Sequence, residues 1–401
     1  MSVYQYGYTD FLAVAAGAAI FASGGGGSYT DALSVLADLA QWQGTVTVQD
    51  YDGGSNCGVL ALMGSPDAAD SLTFGDIANS VANTVAQFAG GTGYPLECVI
   101  PVEIGPINSI VPLIAAVMSE FTGIQSVVNG DGAGRAVPEL PQTTYSAAMP
   151  VSPAALADNA GQVYQAQSAL LSAPTAAQME TLAGGIVSAF GSVSGIALWP
   201  SNPANNFALS GSYIAGTLEQ ARQLGLFLLN AASPPSATAV AGEITQLTGR
   251  AASVVADNFY ITAITQSTTS QSLDTGVIRL DNTVDPANST QTHYIYNLNE
   301  NLIMYSAQSQ VPDIIAPDSI CYYSSATGRG FSNAADDLAV YFDSRTGKST
   351  GQPVSILRIA ALPQFYQAAG VLSSFAALLR NIGYAGALPY PDKGYDRTRR
   401  Q

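Results

Sequence analysis

Three short apolar runs rich in β-branched residues, at 58–63, 98–104 and 124–128, alternate with stretches of helical spacing at 74–88 and 107–121. Strands that alternate with helices bury both faces only in a parallel or mixed sheet layered with helices. That alternation confines the first half of the chain to an α/β architecture. A strand at 45–50 belongs to the same pattern, as do helices at 9–21 and 30–42.

Prolines at 138, 141, 150 and 153 mark the end of this unit. Alanine-rich helices are expected at 155–169 and 175–190, a short strand at 196–199, and an amphipathic helix at 213–230 that Pro234 and Pro235 terminate. Beyond about residue 248 strand-like runs dominate, at 254–265, 276–280, 292–297, 302–305, 320–323, 338–342 and 354–359. Turn signals such as Asp281-Asn282 and Thr346-Gly347 separate them. A helix at 364–382 closes the chain. The expected fold class is α/β plus α+β in two domains. The N-terminal domain, 1–150, is a layered parallel or mixed sheet with helices; the C-terminal domain, 151–401, is β-rich with helices.

In a chain with only 10% charged residues, the polar side chains of the first half gather in one stretch, 101–140. Glu103 and Asn108 follow the run at 98–104; Asn129, Asp131, Arg135 and Glu139 follow the run at 124–128. Open α/β sheets bind ligands just past the carboxyl ends of their strands. Glycines at 130, 132 and 134 permit tight turns there. A second polar-loop candidate is Gly24 to Gly27, which ends one helix and leads into the next. It is either an inter-helix turn or a loop lining a ligand site, with the following helix N-terminus open to an anion. It is neither a dinucleotide fingerprint nor a Walker loop, since no strand precedes it and no Gly-Lys-Ser/Thr follows.

Other functions are excluded by what the chain lacks. Net charge is −16 with a pI near 4.1, and lysine occurs only at 348 and 393, so nucleic acid is not an expected partner. Arg397, Arg399 and Arg400 read as a solvated tail. No run of about 18 apolar residues appears, so no membrane span is expected. Cys57, Cys98 and Cys321 form neither a disulfide framework nor a metal-binding pattern. His293, the single histidine, sits in an alternating strand; a multi-histidine zinc site and a nucleophile elbow with a triad are both excluded. No metal ligand set is assigned, and the cofactor is left unknown. The amino terminus lacks a basic signal-peptide region, which makes the cytoplasm the default, though the scarcity of lysine also suits an exported protein.

Taken together, G-G-G-G at 24–27, M-G-S-P at 63–66, E-I-G-x-x-N at 103–108, D-G-x-G-R-A-x-P-E-L at 131–140, N-E-N-L at 299–302 and P-D at 317–318 resemble the S-methyl-thiohydantoin desulfurase-like family. A weaker echo, G-T-L-x-x-A at 216–221, falls on the amphipathic helix. The resemblance spans nearly the whole chain; only D-G-x-G-R-A-x-P-E-L is long and specific. It departs in two places: Pro106 stands where E-I-G-G is usual, and Asn129 replaces the first acid of D-x-D-G. The resemblance implies a two-domain α/β protein that hydrolytically removes a sulfur substituent from a thiohydantoin-type ring. It also brings Asn299 and Glu300 to the site from the second domain.

Such a reaction needs water to attack an amidine-like carbon, with a base to activate it and an acid or cation to help the thiol leave. Glu103 or Asp131 would be the base and Arg135 would orient the ring. Asn108, Asn129, Glu139, Asn299, Glu300 and the four glycines would contact a small cyclic amide-type ligand. The competing reading of Glu103, Arg135 and Glu139 is a buried ion-pair network that fixes loops. For Asn299 and Glu300 it is a capped turn, and for Asp313 and Asp318 turns beside Pro317. A different class of function also fits: a non-catalytic, self-assembling structural protein on the same fold, motivated by low charge, a mean hydropathy of +0.20 and 20 tyrosines. Homo-oligomerisation is expected on either view. A third reading is a binding protein for the same ring without turnover.

Overall fold

The structure is a computed structural model describing residues 2–64, 72–161, 166–190, 193–268 and 273–390. Residues 65 and 66 of the M-G-S-P motif and the arginines at 397, 399 and 400 lie outside the described residues.

The first sheet has eight strands in the spatial order Val3–Tyr6, Val46–Gln49, Ser126–Val128, Cys98–Pro101, Cys57–Met63, Ser194–Ser201, Ala154–Ala157, Ser168–Leu171. Its centre, from Val46–Gln49 to Cys57–Met63, is parallel, and antiparallel strands flank it on both sides. The central strands are buried on both faces, which is why they read as continuous apolar runs rather than alternating ones. The second sheet is antiparallel, in the order Ile314–Ile315, Glu300–Ser306, Thr292–Leu298, Asp274–Asp281, Ala252–Thr268, Val354–Ile359, Ser319–Tyr323. Its longest strand, Ala252–Thr268, carries register shifts near Ala256 and Ile261 that bend it between its two neighbours.

A layer of helices joins the sheets. Of the eleven residues from Phe11 to Phe21 in helix Tyr8–Phe21, all but Leu12 are buried. It packs on helices Pro106–Val117, Tyr29–Ala37 and Thr217–Leu229 and on strand Ser319–Tyr323. One continuous core therefore includes Val48, Val99 and Val127 from the first sheet and Cys321, Leu357 and Ile359 from the second. The two halves share their interior.

Several expected elements form differently. The helix expected at 155–169 is replaced by two strands, Ala154–Ala157 and Ser168–Leu171, paired antiparallel; residues 162–165 lie outside the described set. Alanine has high helix propensity, but Ala154, Ala155 and Ala157 are fully buried, Ala155 facing the shared core and its neighbours the core beyond the sheet. Tertiary packing overrides propensity here. The strand expected at 338–342 is a short helix, Ala335–Leu338, followed by the two-residue strand Phe342–Asp343, because Asp337 is held by contacts to another helix described below. The expected helix 213–230 starts only at Thr217, since Ile214–Ala215 pairs with Gly130–Asp131. The closing helix is broken at Gly370, which has φ +86°, into Pro363–Gln367 and Val371–Asn381. Helix Ala237–Thr248, capped by Ser236 and closed by Gly249, is an element beyond the expected ones, although both caps stand in the sequence.

Candidate functional site

The glycine loop follows directly from the end of the first helix. Ser23 at φ +54° and Gly24 at φ +88° turn the chain sharply. Gly26, at φ +68°, lies so close to Gly105 that a Cβ built on it would fall 2.4 Å from the Gly105 Cα. That approach brings the Gly26 carbonyl onto the first free N–H groups of helix Pro106–Val117, accepting from Ile107 at 3.0 Å and Asn108 at 3.3 Å. The loop therefore fixes where Asn108 sits. The next helix, Tyr29–Ala37, does not offer its N-terminus to an anion. Asp337 already fills that position, accepting from the Tyr29 and Thr30 amides at 3.0 Å each and from Ser332.

Glu103 stands two residues past strand Cys98–Pro101, at the carboxyl edge of the parallel strands. Its Oε1 accepts from the Asn108 amide at 2.8 Å and its Oε2 from the Val137 N–H at 2.7 Å. Asn108 in turn accepts from the Leu62 N–H at 3.0 Å, so one side chain ties Glu103 to two neighbouring segments. From the second sheet comes Glu300, the first residue of strand Glu300–Ser306 and only 2% exposed. Asn299, at φ +54°, makes the tight turn before it and pairs with Asp274 through both its N–H and its side chain. Glu300 lies against Gly25, where an added Cβ would come within 1.8 Å of its Oε1. Its Oε2 has no hydrogen-bond partner.

These groups meet on one cavity of about 140 Å³ between the two sheets. Gly24 to Gly27, Glu103, Asn108, Glu139, Asn299 and Glu300 all line it, with apolar walls from Leu62, Val102, Ile107, Val137 and Leu198. Three expected site residues are absent from its wall: Asn129, Asp131 and Arg135. All three are buried, and their polar atoms hold the fold. Asn129 accepts from the Glu219 N–H and Asp131 from the Thr217 hydroxyl, so both anchor the start of helix Thr217–Leu229. Asp131 also accepts from the Ala133 and Gly134 amides, closing its own loop. Arg135 donates to the carbonyls of Ala136, Pro317, Asp318 and Asn301. It bonds backbone rather than the carboxylates of the ion-pair reading, yet it sets the position of Glu300 through the adjacent Asn301.

The walls also hold acids that carried no motif: Asp31, Glu180 and Asp274. Glu180 is the one charged residue of helix Ala176–Phe190, and an isolated acid in an apolar helix was the signal available for it. Gly184 and Val187, one and two turns on, line the cavity from the same helix face. Its Oε2 accepts from the Leu140 N–H at 2.9 Å.

Burial dominates the electrostatics. It pushes the Glu103 carboxyl up to about 7; the Val137 and Asn108 donors oppose it, Asp131 adds to it and the Arg135 guanidinium offsets it. Glu300 is raised well above the ordinary carboxylate range by burial and then by Glu103, with Arg135 opposing. Burial, with Glu139 next, lifts Glu180 to about 8, and burial, with Asp336 next, lifts Asp31 to about 6. At neutral pH the wall thus carries carboxylic acids that can donate a proton beside one, Glu103, poised to accept it.

Two expected bystanders behave as such. His293 contacts Asp313 at 3.0 Å and lies edge-on to Phe259, off the cavity wall. Asp318 accepts from Arg358 and the Ala361 N–H. Among the described residues no group of three or more His, Cys, Asp or Glu side chains is placed to hold a metal ion, and no helix is long and apolar enough to cross a membrane.

A mixed sheet whose carboxyl edge opens into an acid-lined cavity, closed over by a β-rich second sheet, defines a two-part α/β protein with an internal cavity between its sheets. The chain belongs to the S-methyl-thiohydantoin desulfurase-like (S-Me-THD-like) family: the family's N-terminal domain matches residues 9–168 and its C-terminal domain residues 174–372. It is similar in structure to a Chromobacterium violaceum protein of known crystal structure, at 25% identity and a TM-score of 0.76, over 97% of this chain and 99% of that one. No curated protein matches the chain.

Proposed function

We propose that the chain hydrolyses an S-substituted thiohydantoin-type ring in this cavity, with Glu103 as general base and Glu300 as general acid. The observation that carries the reading is the pair itself: two carboxyls, from different sheets, face one cavity in environments that separate their proton affinities. Water forms a bond from its oxygen to the ring carbon that bears sulfur, and Glu103 takes one of its protons. The C–S bond breaks with its electron pair on sulfur, and Glu300 protonates the departing thiolate. The remaining hydroxyl proton moves to the ring nitrogen, leaving a ring carbonyl and a free thiol. Glu103 then returns its proton to Glu300, restoring both groups.

Asn108 orients Glu103, and the loop Gly24 to Gly27 lines the cavity with backbone alone, its glycines required by the close approach of Glu300, Gly105 and Ile107. Asp131, Asn129 and Arg135 act at one remove, by holding the segments that carry Glu103 and Glu300. They are positioning residues in this reading.

The test is thiol release from an S-methyl-thiohydantoin. Glu103→Gln is expected to lower kcat by about 10²- to 10⁴-fold, the usual size of a general-base contribution, with the fold retained. A Glu103→Gln protein turning over at the wild-type rate would overturn the assignment.

A further inference from the structure

We infer that Asn333, which belongs to no motif of the sequence, is the positioning residue of the proposed acid Glu300 and acts on the departure of the thiol. This rests on the ring-hydrolase reading and adds the device that aims its acid.

Asn333 is buried on the cavity wall, in the segment between strand Ser319–Tyr323 and helix Ala335–Leu338. Its hydrogen bonds converge on Glu300. The side-chain amide donates to the Asn299 carbonyl at 2.8 Å and to the Asn301 side-chain oxygen at 3.0 Å, one residue on each side of the acid. The backbone N–H donates to the Gly24 carbonyl at 2.7 Å, next to the Gly25 surface on which Glu300 lies. The backbone carbonyl accepts from the Gln266 amide at 3.2 Å. The Tyr322 hydroxyl stands 2.9 Å from the Asn333 side-chain oxygen and 3.1 Å from that of Asn301. A hydroxyl donor at the oxygen sets the amide the right way round, with its N–H groups toward residues 299 and 301.

The platform under Asn333 is fixed as well. Ser332 donates to Asp337 through its N–H at 2.8 Å and its hydroxyl at 2.7 Å. The same carboxylate receives the Tyr29 and Thr30 amides, so the segment from 332 to 337 grips the glycine loop at both ends. Gly24 makes room for this grip: an added Cβ would lie 2.7 Å from the Asn333 amide nitrogen and 2.6 Å from that of Asn301. A proton donor works only where it meets the developing charge, and a shift of about 1 Å costs about 10²-fold. Removing the Asn333 amide frees both flanks of Glu300 at once. It leaves Glu103 on its own partners, Asn108 and Val137. The loss therefore belongs to the step that needs the acid, not to binding or to water attack.

Steady-state thiol release from two rings tests this, one bearing S-methyl and one S-trifluoroethyl. The fluorinated thiol is the stronger acid and departs with less help from a proton donor. Asn333→Ala is expected to lower kcat on the S-methyl ring by about tenfold or more, with KM within about threefold, and on the S-trifluoroethyl ring by less than about threefold. Glu300→Gln should show the same dependence on the leaving group, and adding Asn333→Ala to it should cost less than about twofold more. Tyr322→Phe, which removes a single oxygen, should lower kcat by about threefold on the S-methyl ring alone; it carries the test if Asn333→Ala does not fold. No loss, an equal loss on both rings, or an undiminished further loss in the Glu300→Gln background would overturn the inference. The acid assignment would survive that result provided Glu300→Gln still discriminates between the rings. A Glu300→Gln protein that loses nothing on the S-methyl ring, or loses equally on both, would overturn the acid assignment and this inference with it. Absence of wild-type turnover on both rings would overturn the ring reading and the inference together.

Discussion

Glu300 shows how a single side chain can link the fold to its chemistry. It is buried, its Oε2 has no hydrogen-bond partner, and it is pressed into the space that Gly25 leaves by having no side chain. Its proton affinity in the native state is well above the ordinary carboxylate value near 4.5. The native protein therefore holds a proton that the unfolded chain gives up once pH passes that value. Stability contributed by this group is full below about pH 4.5 and is lost as pH rises through the native-state value. Glu300→Gln should consequently leave the melting temperature near wild type at pH 5 and raise it by about 2–4 °C at pH 8, read by thermal denaturation. An equal shift at both pH values would show that the carboxyl is not held protonated. Glu103 stood out in the sequence because it follows a strand and is one of few charges nearby, whereas Glu300 was brought to the cavity by the family resemblance alone, its own pattern reading as a capped turn. Asp131 and Arg135 were as conspicuous as Glu103 for the same reason, but buried charge also serves to close loops, and sequence position does not separate the two uses. Glu180 and Asp31 were missed because they sit within helices whose apolar pattern drew attention to packing instead.

Between residue and molecule, the critical contact is the crossing of helix Tyr8–Phe21 with helix Thr217–Leu229. Gly17 of one meets the Ala221 carbonyl, and Gly225 of the other meets the Ala13 carbonyl, where an added Cβ would come within 1.9 Å and 1.8 Å. The helices touch backbone to backbone at these two points. Thr217–Leu229 is the helix whose start Asn129 and Asp131 hold, so this crossing transmits the position of the first sheet to the buried helix that ends in the glycine loop. Gly225→Ala gains about 1 kcal/mol of helix propensity but must push apart two backbones, at about 3 kcal/mol or more. A net loss of about 2 kcal/mol or more in urea denaturation is expected, and unchanged stability would show that the helices are not in such contact. Helix spacing at 213–230 made this element easy to read, but the glycine inside it looked like one more small residue on an apolar face. Its necessity belongs to the partner helix. The same limit applied to 154–157, where alanines that favour a helix in isolation are small enough to be buried on both faces of a sheet.

At the scale of the whole molecule, the two sheets are joined through one core and share one cavity, so neither half carries the proposed site alone. The alternation of strands and helices, the later run of strands and the carboxyl-edge location of Glu103 all followed from local pattern, because strands and turns have local signatures. How the second sheet closes over the first did not. It depends on contacts between residues more than 270 positions apart, such as Glu300 against Gly25 and Asp337 on the start of helix Tyr29–Ala37. The central claim is that a thiohydantoin-type ring sits in this shared cavity between Glu103 and Glu300. A crystal structure of the Glu103→Gln protein soaked with an S-methyl-thiohydantoin measures it directly. The account predicts the ring against Gly25 to Gly27, with its sulfur-bearing carbon facing residue 103 and a ring or leaving-group atom within hydrogen-bonding distance of the Glu300 carboxyl. A ring bound instead in the surface groove formed by Tyr296, Tyr305 and Tyr384, with the inter-sheet cavity empty, would contradict it.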